Sequence, residues 1–120
     1  MSPDAGAAQD PAGAARARDG FELTAGTADG LLTARGALTF ATARAARAAG
    51  AAALAGAPDG PLEIDCSAVS PADSAGLAVL LEWLAIAKSA RRSLRFRNLP
   101  QDLVALARIS EVQELLQRGV

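Results

Sequence analysis

Apolar and polar residues alternate along Phe21-Glu22-Leu23-Thr24. Leu31-Leu32-Thr33-Ala34-Arg35 follows across the turn-forming link Gly26-Thr27-Ala28-Asp29-Gly30, which predicts a β-hairpin. Gly36-Ala37-Leu38-Thr39 closes the second strand, and Thr39 or Thr42 starts an alanine-rich helix reaching Leu54. Alanine supplies high helix propensity but little apolar area. Arg44 and Arg47 share one face of that helix, where they read as solvated or as a partner contact. After the loop Ala55-Gly56-Ala57-Pro58-Asp59-Gly60-Pro61, a half-buried strand begins: Leu62, Ile64 and Cys66 point one way, Glu63 and Asp65 the other. Leu94-Arg95-Phe96-Arg97 repeats that alternation with arginines outside. If the two strands are neighbours, their acidic and basic outer faces pair, each contact contributing about a few tenths of a kcal/mol.

Between these strands lies the stretch that organises the chain, Ser70-Pro71-Ala72-Asp73-Ser74-Ala75-Gly76-Leu77-Ala78-Val79-Leu80-Leu81. It reads as a strand-to-helix elbow in which Asp73 or Ser74 caps the helix by accepting from unpaired first-turn N–H groups. Such a helix start favours a phosphoryl group or a partner's carboxylate, and Gly76 admits a close backbone. Leu77, Leu80, Leu81 and Leu84 form the stripe that covers the sheet. Val79, Trp83 and Ile86 form a second, partly exposed strip, which either reaches a neighbouring helix or is offered to another protein. Trp83, the chain's one tryptophan, suits either role. Beyond Pro100, Leu103, Leu106 and Ala107 predict one short helix and Val112, Leu115 and Leu116 another, with Ser110 and Gln113 as its capping box.

The order strand, strand, helix, strand, helix, strand, helical tail predicts an α/β sandwich: one mixed four-stranded sheet with helices on one face. Alternation in the later strands fits a sheet covered on one side only. Met1 to Asp19 lacks large aliphatic residues after Met1 and reads as a disordered tail, which leaves residues 20–120 as the domain.

Composition narrows the chemistry. With 51% hydrophobic residues in 120, the chain can bury one core. A net charge of −1 argues against nucleic acid as a partner. The absence of histidine removes Ser-His-Asp catalysis and most zinc or iron sites. No paired cysteines, glycine-rich phosphate loop or convincing carboxylate pair is present, so the expectation is no catalytic residue, no metal and no cofactor. Gly56, Gly60 and the elbow offer a weak phosphate cradle. Cys66, the single cysteine, excludes an internal disulfide and suits a reducing compartment. Glu82, Lys88, Arg91 and Arg92 interrupt the longest apolar run below the ~20 residues needed to cross a bilayer. The expected location is the cytoplasm.

Asp73-Ser74-Ala75-Gly76-Leu77, preceded by Leu62-Glu63-Ile64-Asp65-Cys66-Ser67 and followed by the leucine-rich helix, resembles the signature of the STAS domain. This fold is shared by sulfate-transporter tails and anti-sigma-factor antagonists. Leu94-Arg95-Phe96-Arg97-Asn98-Leu99-Pro100 and Leu103 to Leu116 continue the likeness, which spans roughly Phe21 to Val120. Within the family, the pattern most resembles the small cytoplasmic STAS subunit of Mla phospholipid-transport ABC complexes.

The resemblance implies a non-enzymatic module that binds and supports the transporter's ATPase, touching the membrane only through the complex at the inner membrane. It implies partner-binding roles for Asp73, Ser74, Ala75, Gly76, Leu77, Val79 and Trp83. The alternative it implies is an anti-sigma-factor antagonist in which Ser74, directly after the motif aspartate, is phosphorylated by an anti-sigma-factor kinase. The Leu94 to Asn98 strand and Ala107-Arg108-Ile109-Ser110 favour the transporter reading. Ala75 also departs from the serine common there in antagonists.

Overall fold

The computed structural model describes residues 20–120, so the expectation for residues 1–19 lies outside the described residues. The elements run β1 (Phe21–Ala25), β2 (Leu31–Leu38), α1 (Ala43–Gly56), β3 (Leu62–Ala72), α2 (Ser74–Ser89), β4 (Leu94–Arg97), α3 (Gln101–Ile109) and α4 (Gln113–Arg118). The four strands form one mixed sheet in the order β1-β2-β3-β4. The hairpin pair is antiparallel, whereas β2 with β3 and β3 with β4 are parallel, each joined through a helix.

One face of the sheet carries the core. Leu62, Ile64 and Cys66 of β3 and Leu94 and Phe96 of β4 are buried on the helix-covered face, where α2 lies over β2, β3 and β4 and α1 over β1, while Arg95 and Arg97 face solvent. On that open face Glu63 meets Arg97 at 3.6 Å, diagonally to the ladder partners Glu63 with Arg95 and Asp65 with Arg97. Both side chains are about half exposed, so the pair contributes about 0–1 kcal/mol.

β3 is longer than its alternation suggests, at 11 residues. Asp65 faces Thr33 and Ala68 faces Arg35; Val69 faces Gly36 and Ala72 faces Leu38. In each interval β3 uses one residue more than β2. Each extra residue flips the side-chain alternation, and the strand continues to the elbow beyond the point where its periodic pattern stops.

Thr42 stands at the N-cap of α1, the second of the two starts the sequence offers; its Oγ1 makes no cap bond but donates to Ala37 O at 2.9 Å and accepts from Thr39 N–H at 3.0 Å, bracing the β2–α1 turn. One local expectation is corrected: Ser110 does not cap α4, because it ends α3, its N–H donating to Leu106 O. Glu111 then turns the chain at φ 62°, and α4 begins after Val112, two residues too late for a Ser110 box. Past α4, Val120 exchanges backbone hydrogen bonds with Leu94 along the outer edge of β4.

Candidate functional site

Asp73, not Ser74, caps α2. Its Oδ1 accepts from the N–H groups of Ala75 at 2.9 Å and Gly76 at 3.1 Å, and its Oδ2 accepts from Phe40 N–H at 3.1 Å. One carboxylate thus closes the helix start and ties it to the loop between β2 and α1. The Phe40 N–H bond, with those of Gly76 and Ala75, holds the Asp73 carboxyl below the ordinary aspartate range despite some desolvation. Asp65 is also lowered, chiefly by the Ser67 N–H and then by Asn98, but it lies on the open sheet face away from the elbow.

The backbone that approaches Gly76 is the chain's own. A Cβ on Gly76 would fall 2.0 Å from Leu38 O, so the end of β2 sits directly under the first turn of α2. Ser74, freed from capping, is exposed in that turn, followed by half-buried Ala75 and exposed Ala78. Across from them stands Phe40, 84% exposed. Phe40, Ala43, Arg44, Arg47, Ala75 and Ala78 line a groove of about 340 Å³ between the starts of α1 and α2. Arg47 pairs across it with Glu82 of α2 at 2.9 Å.

The expected docking strip on α2 divides. Asp73, Ser74 and Ala75 lie at this surface, but Gly76, Leu77, Val79 and Trp83 do not. Val79 is 1% exposed and Trp83 0%, so the partial exposure expected of this strip is corrected at these two positions, and of its two alternatives Trp83 takes the neighbouring helix. The reason is α1. A Cβ on Gly50 would fall 1.9 Å from Trp83 Nε1, so the indole lies against the helix backbone. The same ring meets Phe21 at 5.8 Å and Phe96 at 6.5 Å between centroids, so it spans the sheet beneath α2. Its Nε1–H has no hydrogen-bond partner among the described residues.

The proposed phosphate cradle also separates. Gly56 and Gly60 flank the start of β3 and the elbow follows its end, and at about 3.3 Å per residue an 11-residue strand puts them roughly 30 Å apart. Cys66 is a core residue whose thiol burial, with Asp65 adjacent, raises to about 12. Phe40 was missed by the sequence reading. Its signal was a lone large aromatic in a turn between a strand and an alanine-rich helix.

The family model described as "Mlab, STAS domain" matches residues 21–117, nearly the whole of the described fold. The chain belongs to the STAS domain family. Among solved structures, this STAS domain is similar to the anti-sigma factor antagonist SpoIIAA in its unphosphorylated form. The TM-score is 0.55 at 16% identity, over 81% of this chain and 84% of that one. No curated protein matches. Among the described residues of the STAS domain, no helix is long and apolar enough to cross a membrane.

Proposed function

We propose that this STAS domain is a non-enzymatic docking subunit, and that it binds the ATPase of a phospholipid-transport ABC complex of the Mla type at the cytoplasmic side of the inner membrane. The observation that carries the reading is Phe40. A large aromatic 84% exposed beside a groove has no folding role, and aromatic anchors recur at interface hot spots. Asp73 fixes its backbone, so the anchor is presented by a hydrogen-bonded turn at the helix start. Ser74, Ala75 and Ala78 leave a small, smooth shelf on which a partner's side chains can seat. The "Mlab" description of the matching family model supports the transporter among STAS functions.

Ser74 keeps the alternative in play. Its hydroxyl is exposed directly after the capping aspartate, where a kinase could reach it, and the similar solved structure is that of an anti-sigma factor antagonist.

Phe40→Asp tests the docking surface. Co-expressed with the ABC ATPase from the same genome, the variant should lose co-purification while keeping the parent's melting temperature, since its side chain is outside the core. Retained capture of the ATPase by folded Phe40→Asp would move the interface elsewhere.

A further inference from the structure

With Arg16 and Arg18 of the first 19 residues set aside, residues 20–120 hold ten lysines and arginines and, with Asp4, Asp10 and Asp19 set aside, ten acidic residues. The cations are not spread evenly. Five of them, Lys88, Arg91, Arg92, Arg95 and Arg118, line a single groove of about 630 Å³ between the end of α2, β4 and α4, and no Asp or Glu side chain among the described residues lines it.

Arg92 is committed. Its guanidinium donates to the carbonyls of Leu54, Ala57 and Gly60 at 3.2 Å each and also to that of Pro58. Lys88, Arg91 and Arg95 make no ion pair or side-chain hydrogen bond among the described residues, and all three are exposed. Arg118 has only a solvent-exposed contact with Glu114 at 3.8 Å. Leu115 and Val120, both half-buried, supply an apolar floor. The Val120 carboxylate, an oxygen of which accepts from Ser93 Oγ at 3.0 Å, offsets one of these cations, and the side chains that remain share one sign. A concave surface with such an excess concentrates its field on an incoming counter-charge.

Shape and floor choose among anions. A flat bilayer would meet the rim and leave the floor uncovered, and a lone phosphate would leave Leu115 and Val120 unused. A peptide with spaced carboxylates and an apolar side chain uses both. We propose that this groove docks an acidic segment of a protein partner, its carboxylates on Lys88, Arg91, Arg95 and Arg118 and an apolar side chain on Leu115 and Val120. The 16 residues of α2 put this site roughly 22 Å from the elbow, so the two surfaces can be occupied together and one can fail without the other.

The probe is a fluorescein-labelled peptide repeating Glu-Glu-Leu, followed by anisotropy. Saturable binding is expected to weaken as salt rises from ~0.01 to ~0.1 M, over which the Debye length falls from about 30 to about 10 Å. Arg91→Gln with Arg95→Gln should weaken it about tenfold or more at low salt, removing two charge-assisted contacts. Phe40→Asp should leave it unchanged. Should the double variant melt early, Lys88→Gln with Arg118→Gln, both on exposed helix positions, serves the same purpose. Absence of saturable binding, or binding untouched by the folded variants, overturns the proposal. So does a result in which phosphatidylglycerol vesicles bind through these residues and the peptide does not.

Discussion

The two ends of α2 are held by the same device with its sign reversed. At the start, an anion collects backbone donors: Asp73 accepts from Phe40, Ala75 and Gly76 and joins the helix to the β2–α1 turn. Beyond the other end, a cation collects backbone acceptors: Arg92 donates to four carbonyls from Leu54 to Gly60 and joins α2 to the loop leaving α1. Each charge also has the sign its helix end favours, with Lys88 in the last turn adding to the second. The difference lies in what remains outside each pin. The start exposes Phe40, Ser74 and alanines, a surface whose contacts depend on shape; the end exposes unpaired cations, whose contacts depend on charge and salt. One helix can therefore present two interfaces with separable chemistry.

Two separable ends require that the middle of α2 be core. Trp83→Ala removes a fully buried indole wedged between Gly50, Phe21 and Phe96, and should cost about 3–5 kcal/mol in urea unfolding. A loss below ~1 kcal/mol, well under the range for such truncations, would return Trp83 to the docking surface.

The pins themselves come next. Arg92→Gln should cost about 1–2 kcal/mol, the scale of charge-assisted hydrogen bonds in a partly solvated site, at every pH from mildly acidic to mildly basic. Asp73 behaves differently. Its folded pKa is lowered, so its contribution is complete above the unfolded value of about 3.9 and is lost as pH falls through the folded value. The wild-type protein should therefore lose melting temperature more steeply than Asp73→Asn on acidification below about pH 4, since asparagine caps without titrating. Parallel acid limbs for the two proteins would show that Asp73 is not the pin it looks to be.

Much of this was legible in the sequence, for reasons that differ by element. The hairpin and the alternating halves of β3 and β4 were plain because one face is dry and the other wet, which writes period 2 into the residues. The second half of β3 was not, because two extra residues break that period. The elbow carried a capping signal, but two adjacent capping residues compete, and only the loop at Phe40 decides for Asp73. The burial of Val79 and Trp83 was hidden in another element. The alanines of α1 read as a weak apolar payload, whereas it is the small residue Gly50 among them that lets α1 close over the indole. Phe40 is obscure because the shelf beside it comes from α2, more than 30 residues on, and the basic groove because Arg118, Leu115 and Val120 join the Lys88–Arg95 cluster only in three dimensions.

Ser74 contributes least to stability and bears most on function. Since Asp73 takes the Ala75 and Gly76 N–H groups, Ser74→Ala removes an exposed hydroxyl and no cap, and should change stability by no more than about 0.5 kcal/mol. A phosphate there would add about −1.5 to −2 charges beside a carboxylate that already occupies the helix donors. The cations across the groove are Arg44 and Arg47, the latter paired with Glu82. Phosphorylation would thus set a poorly compensated charge in the middle of the Phe40 surface and weaken docking. In an antagonist, Ser74→Ala would then stay in the binding-competent state and keep the sigma factor released. In a transporter subunit the same variant should bind the ATPase within about tenfold of the parent, the scale of one hydroxyl contact, with no gain of activity. Mass spectrometry of the protein from its native cells decides the premise: stoichiometric phosphate on Ser74 would sink the transporter reading, and an unmodified serine together with near-parental ATPase binding by Ser74→Ala would leave the antagonist without its switch.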